Sequence, residues 1–415
     1  MTGQAATTAT TQTAGRVTRT ECCIAGGGPA GVMLGFLLAR QGVDVVVLEK
    51  HGDFLRDFRG DTIHPSTLRI LDELGLADDV LRLPHDEAPL LQASTPQGTI
   101  IIADFRSLRT RWPYIAFLPQ WDFLNFIATT AQCYPHFHLR MQADVQEVIE
   151  EGGAVRGVRY RGPDGWQEVR APLTVAADGR SSTVRQQAGL APAGAAPPMD
   201  VLWFRLSRRP DDPATTAFRM RPGHFLLFIN RRDYWQVAYI IPKGIDQQVR
   251  AAGLPAFQQS LRELAPEFAD RAGELRDWDQ VKLLSVQVNR LRRWYRPGLL
   301  CLGDAAHAMS PIGGVGINLA IQDAVVAANV LGAAYRAGPL RVGHLAAVQW
   351  RRTLPTRVIQ GMQIFLHQRV AAPALAGQAS LPNSPLVRLP VLRALFPRLI
   401  ARLIAFGVWP VHVRG

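Results

Sequence analysis

The stretch "CCIAGGGPAGVMLGFLLARQGVDVVVLEK", residues 22–50, sets the fold. Cys22 to Ala25 is a short apolar run that reads as a buried strand. Gly26, Gly28 and Gly31 fall in the turn and first helical turn behind it, and Val32 to Arg40 carries helical apolar spacing. Gly26 permits the tight turn, Gly28 lets a pyrophosphate approach the backbone, and Gly31 lets the helix pack closely on the strand. Free N–H groups at the helix start then point at the phosphates. Val43 to Leu48 reads as the next parallel strand. Glu49 at its carboxyl end can accept hydrogen bonds from an adenosine ribose. Strand, glycines, helix, strand and acid in that order fit an ADP-containing dinucleotide and leave NAD and FAD both open.

A chain of 415 residues suits two domains, and 47% hydrophobic content is that of a globular protein. Four cysteines, two of them adjacent at Cys22 and Cys23, lack metal-ligand spacing, so no metal is expected and a reducing cytoplasm is. Residues 1–19, rich in Thr and Ala, read as a disordered leader. No stretch reads as long and apolar enough to span a bilayer. The net charge of +12 is almost all arginine, since Lys50, Lys243 and Lys282 are the only lysines. Nucleic-acid binding would need clustered basic residues with interleaved aromatics, and the arginines are spread along the chain.

Further along, "FRGDTIHPSTLRILDELGL" (58–76) reads as a loop and a helix capped by Ser66 and ending at Gly75. A helix is expected over Trp121 to Cys133. "LTVAADGRSSTVRQQAGL" (173–190) gives a strand running to Asp178-Gly179, a polar turn and a helix. Residues 200–242 alternate or run apolar between turn residues, the pattern of antiparallel strands, and a helix is expected near Ala256 to Arg271. "GLLCLGDAAHAMSPIGGVGINLAIQDAVVAANVLGAAY" (298–335) returns to strand, glycine loop and helix. Asp304 closes a buried strand, where a carboxylate can accept from sugar-alcohol hydroxyls. The glycines from Pro311 to Gly316 let backbone lie against a flat ring, and the helix from near Ile317 aims its positive end there. A reduced flavin carries negative charge that such a helix end stabilises, and an NAD enzyme has no need of it.

The GxGxxG turn, "DGRSSTVR" and "GDAAHAMSPIGGVGIN" together resemble the flavin-dependent aromatic hydroxylases of the para-hydroxybenzoate hydroxylase type, over roughly residues 20–335. The resemblance implies an α/β chain: a Rossmann-like FAD-binding domain, a mostly antiparallel β-sheet substrate domain and a helical C-terminal tail. The FAD-binding domain is expected over 20–80, 110–190 and 286–365, the substrate domain over 81–109 and 191–285, and the tail over 366–415, in place of an appended thioredoxin-like domain. Carried over residue by residue, Gly26, Gly28 and Gly31 face the pyrophosphate and Glu49 the adenosine ribose. Asp178, Gly179, Ser182 and Arg185 help hold FAD and position the reductant. Asp304 binds the ribityl chain, and Pro311, Gly313, Gly314, Gly316, Ile317 and Asn318 line the isoalloxazine. Arg59 and Gln120 look like further flavin contacts. The activity implied is a monooxygenase in which NADH or NADPH reduces FAD, O2 adds to form a C4a-hydroperoxide, and one oxygen passes to an aromatic or polycyclic small molecule.

A phenolate substrate needs a base or an arginine beside it, and His64, His224, Arg219, Tyr234 and Tyr239 are the candidates. His307, inside the best motif, reads as fixing the loop by hydrogen bonding. Val315 stands where many relatives carry a polar residue, which makes the flavin edge more apolar. In "SPLVRLPVLRALFPRLIARLIAFGVWPVHVR" (384–414), Arg388, Arg393, Arg398 and Arg402 sit among apolar residues. Two readings follow: a tail packed on the body with snorkelling arginines, or a basic patch for peripheral contact with an anionic membrane. Pro390 and Pro397 are expected to interrupt any long helix there. Rival functions are a flavin reductase of an isoprenoid or quinone-like substrate, or a flavoprotein that sequesters a ligand. A halogenase is disfavoured, because "RDWDQVKLL" lacks that family's tryptophan motif.

Overall fold

The computed structural model of the chain describes residues 16–55, 62–95, 98–212, 217–221, 223–377 and 390–414. At its centre is a six-stranded sheet in the spatial order Tyr295–Arg296, Leu299–Cys301, Leu173–Ala176, Cys22–Ala25, Val45–Leu48, Phe137–Arg140. All pairs are parallel except the one made by Tyr295–Arg296. The apolar run of the opening motif is fully buried, as a strand covered on both faces must be. Its side chains alternate accordingly. Cys22 and Ile24 join the core under the helices Pro29–Arg40, Gln120–Ala131 and Gly316–Ala337, while Cys23 and Ala25 join the core on the other face.

That second core is closed by a four-stranded sheet, Val17–Arg19, Gly165–Arg170, Ala154–Gly162 and Asp144–Glu151. Val17–Arg19 pairs parallel with Gly165–Arg170, so the expected leader gives way to a strand at its end; residues 1–15 lie outside the described residues.

The second layer is a seven-stranded sheet, ordered Lys282–Leu284, Met199–Ser207, Tyr234–Pro242, His224–Asn230, Ala217–Arg221, Leu90–Thr95, Gly98–Asp104. Its pairings are antiparallel except that of Ala217–Arg221 with Leu90–Thr95. Leu202, Phe204, Leu226, Phe228 and Tyr239 face an outer layer built on the helix Leu254–Leu264. Val201, Trp203, Ile229 and Ala238, on the opposite face, pack with Met309, Val315 and Leu319 of the glycine-loop region. This is the antiparallel layer expected over 200–242, and the period of two decides which residues meet the loop.

Several elements differ from the sequence reading. The helix expected to be capped by Ser66 is Pro65–Glu73, with His64 at the N-cap and Pro65 at the first helical position, where its missing N–H costs nothing. The helix expected over 256–271 is Leu254–Leu264, after which Pro266 opens a 3-10 segment, Pro266–Glu274. One run, Ile312–Ala337, does have the length and apolar composition to cross a bilayer, contrary to expectation, but 78% of its most apolar window is buried inside the protein as a core helix. The tail forms one helix, Pro390–Phe406, with Pro390 as its first residue and Pro397 inside it. An interior proline costs about 3 kcal/mol. Burial of Ala401, Ile404 and Ala405 against the loop and the seven-stranded sheet offsets it.

Candidate active site

Three loops leave the carboxyl ends of three adjacent parallel strands, which is where open α/β sheets bind ligands. Ala25 pairs with Ala176, and Ala176 with Cys301, so Gly26, Asp178 and the Gly303-Asp304 turn emerge side by side. Gly26 has φ +105°, and a Cβ there would lie 2.3 Å from the Ala177 carbonyl oxygen. A Cβ on Gly31 would lie 1.9 Å from the Gly26 carbonyl oxygen, so only glycine lets the helix Pro29–Arg40 start so close to the strand. Gly28 differs: a Cβ there meets nothing within 4 Å. The open space is over the helix N-terminus, where a pyrophosphate fits.

Glu49 is buried behind this turn, its Oε2 accepting from the Gly27 N–H at 2.9 Å and its Oε1 from the His51 N–H at 3.0 Å. Asp178 accepts from the Val184 N–H at 3.2 Å through Oδ2, while its buried Oδ1 has no partner. Burial lifts this carboxyl above the usual carboxylate range. An orphaned buried acceptor beside an open helix N-terminus is what a missing polar ligand leaves behind. Ser182 and Arg185 point inward. Ser182 Oγ caps the helix Thr183–Gln187 by accepting from the Arg185 N–H, and Arg185 donates to the carbonyls of Ala305 (3.1 Å) and Arg180 (2.7 Å). They tie the Asp178 loop to the Asp304 turn. Gly179, φ +85°, is open on its Cβ side.

Asp304 is partly exposed and accepts from Arg180 Nε at 3.0 Å. A Cβ on Gly303 would touch Ala30 at 3.2 Å and Ala320 at 3.3 Å, so this turn is wedged between the N-terminal parts of two helices. Their positive ends converge there. The Pro311–Gly316 loop takes left-handed backbone at Gly313 (φ +80°) and Gly314 (φ +62°). Thr62 Oγ1 donates to the Gly314 carbonyl at 2.7 Å, and a Cβ on Gly314 would strike that hydroxyl at 2.3 Å. Asn318, nearly fully buried, donates to the carbonyls of Thr62 and Gly314 and accepts from the His64 N–H and the Thr67 hydroxyl. Behind the loop, Gln363 holds Ser310 and Ile312, and His367 holds the Ser310 hydroxyl. Ile317 is buried in the first turn of Gly316–Ala337. The glycine loop is thus clamped from both sides by the protein's own side chains.

Beneath it lies a buried ionic group that the sequence reading missed. His307 Nε2 donates to Asp323 Oδ2 at 2.6 Å, Arg352 Nε donates to Oδ1 at 2.6 Å, and the Gly303 N–H reaches Oδ2 at 3.2 Å. Burial works to raise the Asp323 carboxyl, but His307 and Arg352 beside it hold it below its ordinary value. His307 fixes the loop by hydrogen bonding, as expected. The signal was present as polar residues Asn318, Gln322 and Asp323, all buried, inside the apolar first half of the helix.

The five acid–base candidates do not gather. His224 and Tyr239 bond each other at 2.9 Å, with Ser260 on the far side of the sheet. Arg219 reaches Glu267 of that outer layer at 3.0 Å. Tyr234 lies under the Arg205 guanidinium at 4.7 Å. His64 alone sits at the glycine loop, fully buried, its Nδ1–H donating to the Ile404 carbonyl at 2.8 Å and its Nε2 lacking a partner. Burial pushes it down to about 4. A histidine kept neutral in the fold but free to protonate near 6.5 when unfolded costs stability as pH falls through that window. The expected loss between pH 6.5 and 4 is about 3 kcal/mol. His64→Asn should flatten this slope, read as the urea midpoint at pH 7 against pH 4.5; an unchanged slope would refute the assignment. Gln120 heads the helix Gln120–Ala131, and Arg59 lies outside the described residues.

On the face of the seven-stranded sheet turned toward the glycine loop, Arg231 Nε donates to Gln236 Oε1 at 3.0 Å, both residues buried, and the Gln236 Nε2 amide has no partner. Strand alternation had not marked this pair.

A protein-family profile described as an FAD binding domain matches residues 19–361. The 6-methylpretetramide 4-monooxygenase of Streptomyces rimosus is 33% identical over 399 residues, which covers 95% of this chain and 94% of that one. The 12-dehydrotetracycline 5-monooxygenase/anhydrotetracycline 6-monooxygenase of the same species is 28% identical over 324 residues, 74% of this chain but 61% of that longer protein. The crystal structure of p-nitrophenol 4-monooxygenase from Pseudomonas putida superposes with a TM-score of 0.72 at 23% identity, covering 94% of each chain.

Proposed function

From the membership of this chain in the FAD-dependent aromatic hydroxylase family, we propose that it hydroxylates a phenolic, fused-ring aromatic compound. It is a FAD-dependent monooxygenase that uses NAD(P)H and O2 on an aromatic or polycyclic small molecule. The fused-ring substrate is supported by the end-to-end likeness to the 6-methylpretetramide enzyme and by the apolar face that the sheet turns to the glycine loop.

FAD fits the residues present. The open face of Gly28, the orphaned Asp178 oxygen and the Asp304 turn between two helix N-termini form one anionic-ligand cradle. In this proposal Gly26, Gly28 and Gly31 hold the pyrophosphate, Glu49 the adenosine ribose and Asp304 the ribityl chain, with Asp178, Gly179 and Gln120 beside them. Pro311, Gly313, Gly314, Gly316, Ile317 and Asn318 border the ring, and Ser182 and Arg185 position the loop from behind. When bound, the flavin supplies hydride acceptance and O2 activation. Trp203, Met309, Val315 and Leu319 keep water from that chemistry. Arg231 and Gln236 offer a cation and an amide donor to a phenolate oxygen, a role no sequence candidate fills.

The observation that carries the reading is the clamped glycine loop facing an apolar sheet. Its test is a panel of hydroxylated anthraquinones and naphthacenes with holoenzyme and NADPH. A true substrate is expected to accelerate NADPH oxidation at least about tenfold while suppressing hydrogen peroxide release, with one oxygen of the product derived from isotopically labelled O2. Product without labelled oxygen would sink it in favour of a reductase, and silence across the panel in favour of ligand sequestration.

A further inference from the structure

On the side of the Pro390–Phe406 helix away from the core is a cavity of ≈ 800 Å³. Four arginines line it: Arg69 from Pro65–Glu73, Arg109 from the loop after the seven-stranded sheet's edge, and Arg398 and Arg402 from the tail helix. Among the described residues no carboxylate lines it. None of the four makes an ion pair or hydrogen bond with another described residue. Asp104 feels the charge of Arg398 but is already engaged by Arg106 at 2.9 Å through both oxygens. The walls between the guanidinium groups are apolar, notably Leu399 and Phe406, and the Arg69 guanidinium carbon lies over the Phe406 ring, 4.5 Å from its centroid. Four like charges converging on one hollow in a chain of net charge +12 repel one another until an anion enters.

The hollow backs onto the glycine loop. Arg402 and Phe406 face it, while Ile404 between them points the other way, with its Cδ1 4.0 Å from a Cβ built on Gly313 and its carbonyl held by His64. The last turns of one helix separate the two.

We propose that this hollow is a loading site for anionic polycyclic aromatic compounds, in which arginines neutralise a phenolate or carboxylate while Leu399 and Phe406 cover the rings. The inference rests on the fused-ring reading above and deepens it by naming the charge of the substrate. Its volume suits one such ligand, since small-molecule sites are typically about 300–1,000 Å³. A second copy of the chain would set arginine against arginine and is disfavoured by charge.

The test uses FAD-loaded enzyme, isothermal titration calorimetry and two probes, anthraquinone-2-carboxylate and the neutral 2-(hydroxymethyl)anthraquinone. The carboxylate is expected to bind about tenfold more tightly at low salt, and the advantage to shrink at high salt. R398Q/R402Q should bring the carboxylate down to the level of the alcohol, with melting temperature and bound FAD unchanged. Equal binding of the two probes, or an advantage that survives the double substitution, overturns the proposal. So does sedimentation of the wild type, but not of R398Q/R402Q, with phosphatidylglycerol vesicles when neither dissolved probe binds, because the face then serves a lipid surface. Calorimetry does not depend on turnover, so an enzyme inactive toward every fused-ring phenol would fail the functional reading and leave this one standing on its own result.

Discussion

Gly28→Val is expected to yield a protein that folds but purifies without FAD, whereas Gly31→Ala is expected to damage the fold itself. The two glycines stand three residues apart in one motif and serve different masters. At Gly28 the backbone is ordinary, φ −74°, and a side chain would project into empty space, so the apoprotein should lose no more than about 1 kcal/mol. The space it fills is the pyrophosphate's, and FAD affinity should fall at least about 100-fold, equivalent to roughly 2.7 kcal/mol. At Gly31 a single methyl would sit 1.9 Å from the Gly26 carbonyl oxygen, which is backbone and cannot swing away. The cost should reach or exceed the roughly 1–3 kcal/mol of an overpacked core. The flavin-to-protein absorbance ratio and the thermal melt of the apoprotein separate the two effects. A yellow, stoichiometrically loaded Gly28→Val enzyme would remove the pyrophosphate from this turn.

Asp323→Asn should be the most damaging substitution outside the glycines. It strips the charge from between His307 and Arg352, both buried, and weakens the acceptor for the Gly303 N–H. Removing one partner of a buried pair costs about 3–5 kcal/mol, because the other charge stays behind unsolvated. The melting temperature should drop by several degrees and FAD retention should fall with it, since the Asp304 turn loses its floor. Adding Arg352→Met to Asp323→Asn should restore part of the loss, a non-additivity that marks a coupled pair. A single variant that melts like the parent would refute the role. The sign with pH is set by the lowered carboxyl of Asp323: its contribution is complete above the ordinary carboxylate value near 3.9 and disappears as pH falls below it.

What the sequence made legible is what short-range chemistry encodes. The turn at Gly26, the helix behind it and the acid at Glu49 lie within one stretch, and their spacing alone sets strand against helix. The Asp304 turn and the Pro311–Gly316 loop were legible for the same reason. The clamps on them were not, because they join distant residues: Thr62 with Gly314, His64 with Ile404, Asp323 with Arg352. The acid–base candidates failed to gather for a subtler cause. Val201 through Leu206 is buried at almost every position, so alternation carries no polar face to say which side meets the flavin loop. A shift of one residue in that parity exchanges Tyr239 for Gln236 on the face turned to the loop. Pro397 misled for a different reason, since a proline penalty is local and the packing that outweighs it is not.

The parallel sheet draws its strands from far ends of the chain, with Leu299–Cys301 laid against Leu173–Ala176. During synthesis the glycine turn therefore leaves the ribosome long before the strand and Asp304 turn that complete its pocket. Flavin capture belongs after translation has passed residue 304, and until then the edge of Leu173–Ala176 that Leu299–Cys301 will cover is open to mispairing.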